Sequence, residues 1–306
     1  MACVAIKRRK VKNYKRGLFI IGTILPSLMV FGIFYIYTNI NSFFMMFQRY
    51  DASGQLYWTF ENFKLVINSF KGGNVGFINL RNTSIYWFIT LVVVTVTQPI
   101  FSYFSYKNLW GDTTRRILGA ITSSMNGVTY TIIYLLYFNP GGPFSSLFTA
   151  VYGLEEPAQV LADIRFANKG LILSSCIALF GMSFYYRAAM MRIPKEVLEY
   201  AQLDGASWLR ELWSILLPMC WPVMMTMLVS LIIGFFNEGP DIYLMTGGKN
   251  DTGTIAYWLY SLQLGAAPNS NSLNFLCTLG WMMTGIIAPL TYLTKWLLGK
   301  VDVEEY

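Results

Sequence analysis

The chain has 306 residues, of which 55% are hydrophobic and only 13% are charged, and its formal net charge is +7. Because soluble domains carry about 25% charged residues, this composition excludes an ordinary soluble globular protein. The sequence contains no histidine. That excludes histidine-dependent zinc motifs, histidine-based catalytic triads and histidine proton relays.

Long stretches without Asp, Glu, Lys or Arg divide the chain. They are residues 17–48, 82–106, 117–154, 170–186, 212–237 and 252–294. A membrane-spanning helix needs about 20 apolar residues, and its backbone groups have to be paired within the segment. The stretches 117–154 and 252–294 are too long for one span, and each contains a break rich in Pro and Gly. The sequence therefore predicts an all-α membrane protein with six transmembrane helices, near 18–46, 83–106, 117–138, 169–190, 213–236 and 275–298.

The positions of Lys and Arg set the expected orientation. Cytoplasmic loops carry an excess of these residues, and a cytoplasmic N-terminus assigns 16 of the 23 to the inside. Both termini are therefore predicted to be cytoplasmic, with a basic segment over 1–16, a transmembrane domain over 17–300 and a tail over 301–306. A cleaved signal peptide over residues 1–40 is the competing interpretation, but the apolar run is too long for one.

Few residues offer catalytic or metal-binding chemistry. The four cysteines, Cys3, Cys176, Cys220 and Cys277, are isolated in the sequence and resemble small apolar packing residues. No G-x-x-x-x-G-K-[ST] or G-x-S-x-G motif occurs. We expect no catalytic residue, no metal and no cofactor in this chain, so any transport draws its energy from another subunit.

One charged segment, Arg187 to Pro218, separates the predicted fourth and fifth spans. Pro194 suits the first turn of a new helix, and Leu198 and Ala201 fall on one face of it at helical spacing. Gly205 is a helix-stop signal. The segment is predicted to form a short helix, a glycine break and a second short helix on the cytoplasmic side. Its chemistry fits either a helix pair lying against lipid head groups or a docking site for a cytoplasmic partner.

The spacing of residues in this segment resembles a known motif. Permease subunits of bacterial ATP-binding-cassette importers carry E-A-A-x-x-x-G, nine further residues and then I-x-L-P. The matching positions here are Glu199, Ala201, Gly205, Ile215, Leu217 and Pro218. Tyr200 stands where this motif usually has Ala.

Other landmarks resemble the sugar-permease branch of this family. They are Glu61-Asn62-Phe63, Asn82-Thr83 and the stretch from Tyr243 to Gly248, followed by Thr254 and Tyr257. Lys249 stands where Pro is common in that branch.

The resemblance implies the type I importer permease fold and a complex in the bacterial cell membrane. A second permease subunit would complete the pathway, and two cytoplasmic ATPase subunits would bind ATP and Mg²⁺. An extracytoplasmic binding protein would deliver a sugar substrate. Membrane lipid would surround the chain, and nucleic acid is not an expected partner. The coupling loop, residues 191–213, would insert into the ATPase. The implied ATPase-coupling residues are Pro194, Glu199, Tyr200, Ala201, Asp204, Gly205, Ala206, Ile215, Leu217 and Pro218.

Two residues of the coupling loop have alternative roles, and a third has a conformational one. Glu199 fits a carboxylate for a basic group on the ATPase, or a surface partner of Lys195 four residues earlier. Asp204 belongs to the motif and is also a candidate cap of the second short helix. Gly205 permits a tight turn with positive φ and close approach of another backbone.

The expected solute path and outer contacts depend on fewer signals. Asn126 and Tyr130, in the middle of the predicted third span, are candidates for the substrate pathway; the alternative is helix packing. The loop 238–251 is either a contact for the binding protein or an ordinary solvated loop. Its candidate contact residues are Glu238, Asp241, Gly247 and Gly248.

We therefore expect a permease, not an enzyme, that forms half of the transmembrane pathway for a sugar or oligosaccharide. It would couple to a cytoplasmic ATPase through residues 193–218. One alternative is an importer permease for another solute, such as glycerol phosphate, a polyol or a uronate oligomer. A less favoured one is a non-transporting membrane scaffold or receptor.

Overall fold

A computed structural model describes residues 14–108, 111–180, 184–265 and 270–300. Most of the predicted basic segment 1–16 and all of the tail 301–306 lie outside these residues. Helices dominate the described chain.

The first span is one long helix in three parts. Helix α1 (Tyr14–Val30) continues through a π-helical stretch (Phe31–Tyr37) into α2 (Thr38–Met45). Most apolar side chains of this helix are exposed, including Phe19 and Phe34. An apolar surface of this extent is typical of a lipid-facing helix. The predicted span 18–46 corresponds to this helix.

A small hairpin and a short helix follow the first span. Strands β1 (Gln48–Tyr50) and β2 (Leu56–Trp58) pair in antiparallel register, with Arg49 opposite Tyr57. Helix α3 (Glu61–Ser69) comes next. This hairpin is a small β element in a mostly helical chain, and its three-residue strands are too short to leave a periodic signal in the sequence.

The second span is longer than predicted. Helix α4 (Val75–Val92), a π-helical turn (Val93–Thr97) and α5 (Gln98–Tyr106) form one continuous element. Pro99 has no N–H to donate, so one α-helical hydrogen bond is missing here. The missing bond explains the change from α-helical to π-helical hydrogen bonding just before Pro99. This span starts before the predicted residue 83, because the polar residues Arg81 and Asn82 lie within the helix.

The predicted third span is divided into two shorter helices, and the fourth is described in two parts. The third consists of α6 (Asp112–Ser124) and α7 (Gly127–Phe138). Helix α8 (Pro143–Tyr152) lies between the two predicted spans. The fourth consists of α9 (Ala167–Phe180) and α10 (Phe184–Met190).

The coupling loop leads into a bent fifth span. Helices α11 (Lys195–Leu203) and α12 (Trp208–Arg210) are followed by a π-helical stretch, 211–216, and α13 (Leu217–Met219). Helix α14 (Trp221–Ile233) then starts at an angle of 76° to 208–219.

Two short helices precede the last span. They are α15 (Ile242–Met245) and α16 (Ile255–Gly265), and α16 lies in a stretch that the sequence analysis left without a helix. Helix α17 (Asn271–Leu298) is the sixth predicted span, extended by one turn at its start.

Three described helices are long and apolar enough to cross a membrane: Phe19–Met45, Val75–Tyr106 and Asn271–Leu298. The bent pair 208–233 adds a fourth if it counts as one span. Among the remaining predicted spans, the third is assembled from two shorter helices.

Buried amides fix the hairpin between α3 and α17. Asn62 donates from Nδ2 to the carbonyl oxygens of Met46 and Gln48, at 3.3 and 2.9 Å. Asn274 of α17 donates to the same Gln48 oxygen at 2.8 Å. Asn271 pairs with both backbone polar groups of Tyr50, at 2.8 and 2.9 Å. Side chains from two helices therefore satisfy the outer backbone edge of β1.

Substitution of Asn62 tests this arrangement. Asn62→Ala removes the donor to two backbone carbonyls in a buried environment, which costs about 1–3 kcal/mol. We expect a lower Tm in detergent, measured by thermal denaturation of the purified protein. Asn68→Ala, at an exposed position of the same helix, is the control and should leave Tm unchanged. Equal Tm values for both variants would contradict the assignment.

Candidate functional site

The turn between the two short helices of the coupling loop has a defined geometry. The N–H of Ala206 donates to the carbonyl of Ala201, and the N–H of Gly205 donates to that of Gln202, both at 3.0 Å. Gly205 has φ +73°. This pattern is the Schellman motif, which ends a helix and satisfies its last carbonyl groups. The positive φ expected of Gly205 is present.

Ser207 begins the second short helix. Its Oγ accepts a hydrogen bond from the backbone N–H of Arg210 at 3.4 Å. Asp204 follows the preceding helix as its C-cap residue. The alternative that Asp204 caps the second helix is therefore wrong, because the glycine turn carries the chain three residues further before that helix starts.

One face of the coupling loop is packed into the protein. The inner core is the cluster of buried residues Tyr103, Tyr186, Met190, Ile193, Leu198, Leu212, Leu216, Leu217 and Cys220. It joins α5 and α10 to α11 and to the π-helical start of the fifth span. Leu217 is buried, whereas Ile215 is half-buried and Pro218 is exposed.

The opposite face of the coupling loop is open. Tyr200 is 69% exposed and Leu203 is 83% exposed. Glu199 is also exposed, and it forms no ion pair with Lys195 or with another described residue. A Cβ atom added to Gly205 would meet no atom within 4 Å. Exposed large apolar side chains beside an open backbone turn are typical of a docking surface.

A buried ion pair fixes this helix pair to the second span. The Nζ of Lys107 lies 2.6 Å from Oε1 of Glu211, and the Tyr103 hydroxyl donates to Oε2 at 3.0 Å. Glu211 is only 3% exposed. The ring of Trp208 stacks on that of Tyr103, with centroids 6.4 Å apart.

Sequence reasoning missed this cluster. It treated Lys107 as a topology charge and gave Glu211 no role. The partners lie far apart in sequence, so no local pattern joins them. One signal was present, because Glu211 sits inside the motif beside Leu212, at the edge of a long apolar run.

Asn82 and Thr83 hold the outer loop that follows the fifth span. The Nδ2 of Asn82 donates to the carbonyl oxygens of Asp251 and Gly253, at 2.6 and 2.9 Å. The Oγ1 of Thr83 accepts from the N–H of Ile255 at 2.9 Å. These contacts give both residues a structural role at the start of α16.

A cavity of about 580 Å³, which we call the outer cavity, opens next to this loop. Its lining residues are Asn237, Glu238, Gly239, Pro240, Asp241, Ile242, Tyr243, Leu244, Thr254, Ala256, Tyr257 and Tyr260. Glu238 Oε2 accepts from the Thr90 hydroxyl of α4 at 3.1 Å. Burial raises the pKa of the Glu238 carboxyl, and the Thr90 hydrogen bond opposes that rise. Of the residues proposed for binding-protein contact, Glu238 and Asp241 thus line the cavity.

Gly247 and Gly248 form the exposed end of the same loop. Both have positive φ, +59° and +71°. The Tyr257 hydroxyl donates to the Gly247 carbonyl at 2.7 Å, and a Cβ on Gly248 would overlap the Tyr257 ring. Because the two glycines have no side chains, the Tyr257 ring can pack directly against the turn.

Neither of the two candidate pathway residues is among the residues that line this cavity. Asn126 caps α7, with Oδ1 accepting from the Val128 N–H at 3.3 Å. It is exposed at the break between α6 and α7, the two helices of the predicted third span. Tyr130 is half-buried and stacks on Tyr134, with ring centroids 6.3 Å apart. Their contribution to a solute path stays a prediction.

Residues 100–302 match the family described as the binding-protein-dependent transport system inner membrane component. The chain belongs to this family. The match includes the coupling loop, the outer cavity and the last span. A transport permease rather than an enzyme is the biochemical class of this family.

Curated relatives of this permease carry solute names. The arabinooligosaccharides transport system permease protein AraP of Halalkalibacterium halodurans is 24% identical over 291 residues, covering 90% of this chain and 86% of that one. The lactose transport system permease protein LacF of Rhizobium radiobacter is 23% identical over 221 residues, covering 70% and 73%. The trehalose transport system permease protein SugA of Mycobacterium tuberculosis is 36% identical, but the match spans only 24% of either chain.

Solved structures share the fold over almost the whole chain. A crystal structure of a bacterial ABC transporter involved in the import of the acidic polysaccharide alginate matches 95% of this chain and 98% of that one, with a TM-score of 0.73 and 19% identity. A second structure, of the bacterial alginate ABC transporter in complex with an alginate pentasaccharide-bound periplasmic protein, has a TM-score of 0.69 at 19% identity and covers 94% and 96%. At this identity the likeness shows the fold, which is that of ABC importer permeases.

Disruption of the Lys107–Glu211 pair should destabilise the protein. Lys107→Met leaves the Glu211 carboxylate buried without its counterion. We expect a loss of about 2 kcal/mol, between the values for surface and fully buried pairs, because Lys107 keeps some contact with water. Thermal denaturation in detergent would show this as a lower Tm.

A matched pair serves as the control. Arg165 and Asp163 also approach to 2.6 Å, but on an exposed outer segment. Arg165→Met should change Tm little. The double variant Lys107→Met/Glu211→Gln should regain part of the lost stability, since it removes the unpaired charge. Equal Tm values for the Lys107→Met and Arg165→Met proteins would argue against the buried pair.

Proposed function

We propose that this chain is one permease subunit of an ATP-driven importer for a sugar or oligosaccharide, coupled to a cytoplasmic ATPase through residues 193–218. Family membership supports the transport role, and the lactose, trehalose and arabinooligosaccharide relatives support the solute class. The observation that carries the coupling role is the open face of the coupling loop. Tyr200 and Leu203 point away from the protein there, next to a glycine turn with free space around it.

The coupling loop has the physical properties that a docking element needs. Its inner face is anchored in the inner core, so the outer face keeps a fixed shape. Glu199 offers a carboxylate that can accept from a basic group of the ATPase. Gly205 lets another backbone approach closely, because no side chain covers the turn. ATP and Mg²⁺ would be bound by the ATPase subunits.

Force on the coupling loop would be transmitted to the spans through specific side-chain contacts. The Lys107–Glu211 pair and the Tyr103–Trp208 stack connect the second short helix to α5. The inner core connects the π-helical stretch that follows this helix to α10. A displacement of the loop by the ATPases would therefore move the second and fourth spans with it.

The expected partners follow from this role. A second permease subunit would complete the pathway, and the apolar exposed surface of α1 and α2 would face membrane lipid in a bacterial cell membrane. We assign the exposed end of the outer loop, around Gly247 and Gly248, to contact with an extracytoplasmic binding protein.

A second candidate solute class has its own support. The sn-glycerol-3-phosphate transport system permease protein UgpA of Escherichia coli O157:H7 is 30% identical over 137 residues, covering 42% of this chain and 44% of that one. The alginate importer adds an acidic oligosaccharide. Both of these solutes are anions. The charge of the side chains that line the outer cavity therefore discriminates between these anions and neutral sugars. A non-transporting scaffold is the remaining alternative.

Substitution of Gly205 tests the coupling role. Gly205→Asp places a charged side chain on the open face, where an ATPase would have to approach, while Asp tolerates the left-handed conformation better than most residues. We expect loss of ATP-dependent solute uptake in vesicles, with the complex still assembled and ATP still hydrolysed.

Gly141→Asp is the matched control. Gly141 also has positive φ, +86°, with no atom near its would-be Cβ, and lies between α7 and α8 on the predicted outer side. This variant should keep uptake. Normal uptake by the Gly205→Asp complex, or failure of that complex alone to assemble, would contradict the coupling role. A wild-type complex without ATP-dependent uptake would favour the scaffold.

A further inference from the structure

We propose that the outer cavity selects an uncharged, hydroxyl-rich solute and disfavours an anionic one. This inference rests on the proposed importer function and concerns the class of solute. It assigns Glu238 and Asp241 to the solute path rather than to the binding-protein contact.

The cavity combines acidic and aromatic side chains. Two carboxylates and three tyrosine rings line it, and none of the described residues in its wall is basic. A volume of about 580 Å³ lies within the range of small-molecule sites, about 300–1,000 Å³. The rings of Tyr243 and Tyr260 meet edge to face at 5.0 Å, so they form one continuous aromatic wall.

Both carboxylates are held in place without a counterion. Glu238 is oriented by the Thr90 hydroxyl of α4. Asp241 caps α15, with Oδ1 accepting from the Leu244 N–H at 3.3 Å. Within the described chain, neither carboxylate forms an ion pair.

Two basic side chains before and at the start of α9 are occupied elsewhere. Arg165 pairs with Asp163 at 2.6 Å. Lys169 donates to the Tyr152 hydroxyl at 2.8 Å and lies over the Tyr152 ring. These cations are therefore committed to contacts that do not involve the cavity wall.

The donor and acceptor pattern decides between the solute classes. An ionised carboxylate only accepts hydrogen bonds. Sugar hydroxyls donate, so a neutral sugar satisfies this wall while its apolar ring faces lie on the tyrosines. A phosphate or uronate group brings further acceptors and a like charge, and like charges placed together cost several kcal/mol.

Uptake by the complete importer tests this inference. The permease pair, the ATPases and the binding protein would be reconstituted in vesicles and supplied with ATP. The neutral probes are trehalose, lactose and arabino-oligosaccharides; the anionic probes are sn-glycerol 3-phosphate and an alginate pentasaccharide. We expect uptake of a neutral sugar to exceed that of each anion at least about tenfold, which corresponds to about 1.4 kcal/mol.

The outcomes separate the two levels of the proposal. Uptake confined to the anions would overturn the inference on charge and leave the importer function intact. ATP-dependent uptake of none of the probes would contradict the proposed sugar import, and the inference that rests on it would fail too.

Neutralising variants show whether these carboxylates cause the preference. Glu238→Gln/Asp241→Asn should reduce the ratio of neutral to anionic uptake about tenfold. Asp241→Asn alone should reduce it in the same direction and keeps the helix cap, since Asn caps as well as Asp; this variant decides the question if the double variant does not assemble. Glu155→Gln/Glu156→Gln, at exposed outer positions away from the cavity, is the control. An unchanged ratio in the Asp241→Asn importer would overturn the assignment.

Discussion

The buried carboxylate of Glu211 sets the arrangement of the coupling loop. Removing a carboxylate from water costs several kcal/mol, so it is tolerated only with a close counterion and further hydrogen bonds. Lys107 and Tyr103 supply both. Because these partners lie at the end of the second span, the second short helix of the coupling loop has little freedom to move independently of it. The exposed face around Gly205 is therefore also held in a fixed position relative to the second span.

The second span links the two candidate functional regions. Thr90 of α4 contacts Glu238 beside the outer cavity, and Tyr103 of α5 contacts Glu211 beneath the coupling loop. Between them lies the π-helical turn Val93–Thr97, a type of irregularity that is frequent at functional sites. Under the proposed function, one helix therefore connects the ATPase surface to the cavity wall, with a single irregular turn where its direction can change.

Sequence patterns predicted the features that depend on local chemistry. Charge-free runs located the long helices, because lipid requires apolar length, and the glycine turn at Gly205 followed from its φ requirement. The division of the third span escaped, since a break such as that at Asn126 costs only a few polar residues inside an apolar run. The Lys107–Glu211 pair and the Thr90–Glu238 contact escaped for another reason. Each contact joins residues that are distant in sequence. The hydrophobic periodicity of a single segment therefore cannot predict it.

Fold and solute are determined by different parts of this molecule. The alginate importer, whose solute is an acidic polysaccharide, shares the fold over nearly the full chain at 19% identity. A scaffold that is common to many solutes cannot specify the charge of one, so the specificity has to lie in side chains grafted onto it. In this chain the wall beside α15 carries carboxylates and tyrosines. Under the proposed function, the helix that presents Thr90 to Glu238 is part of the shared architecture, whereas the charge that it orients belongs to the solute site.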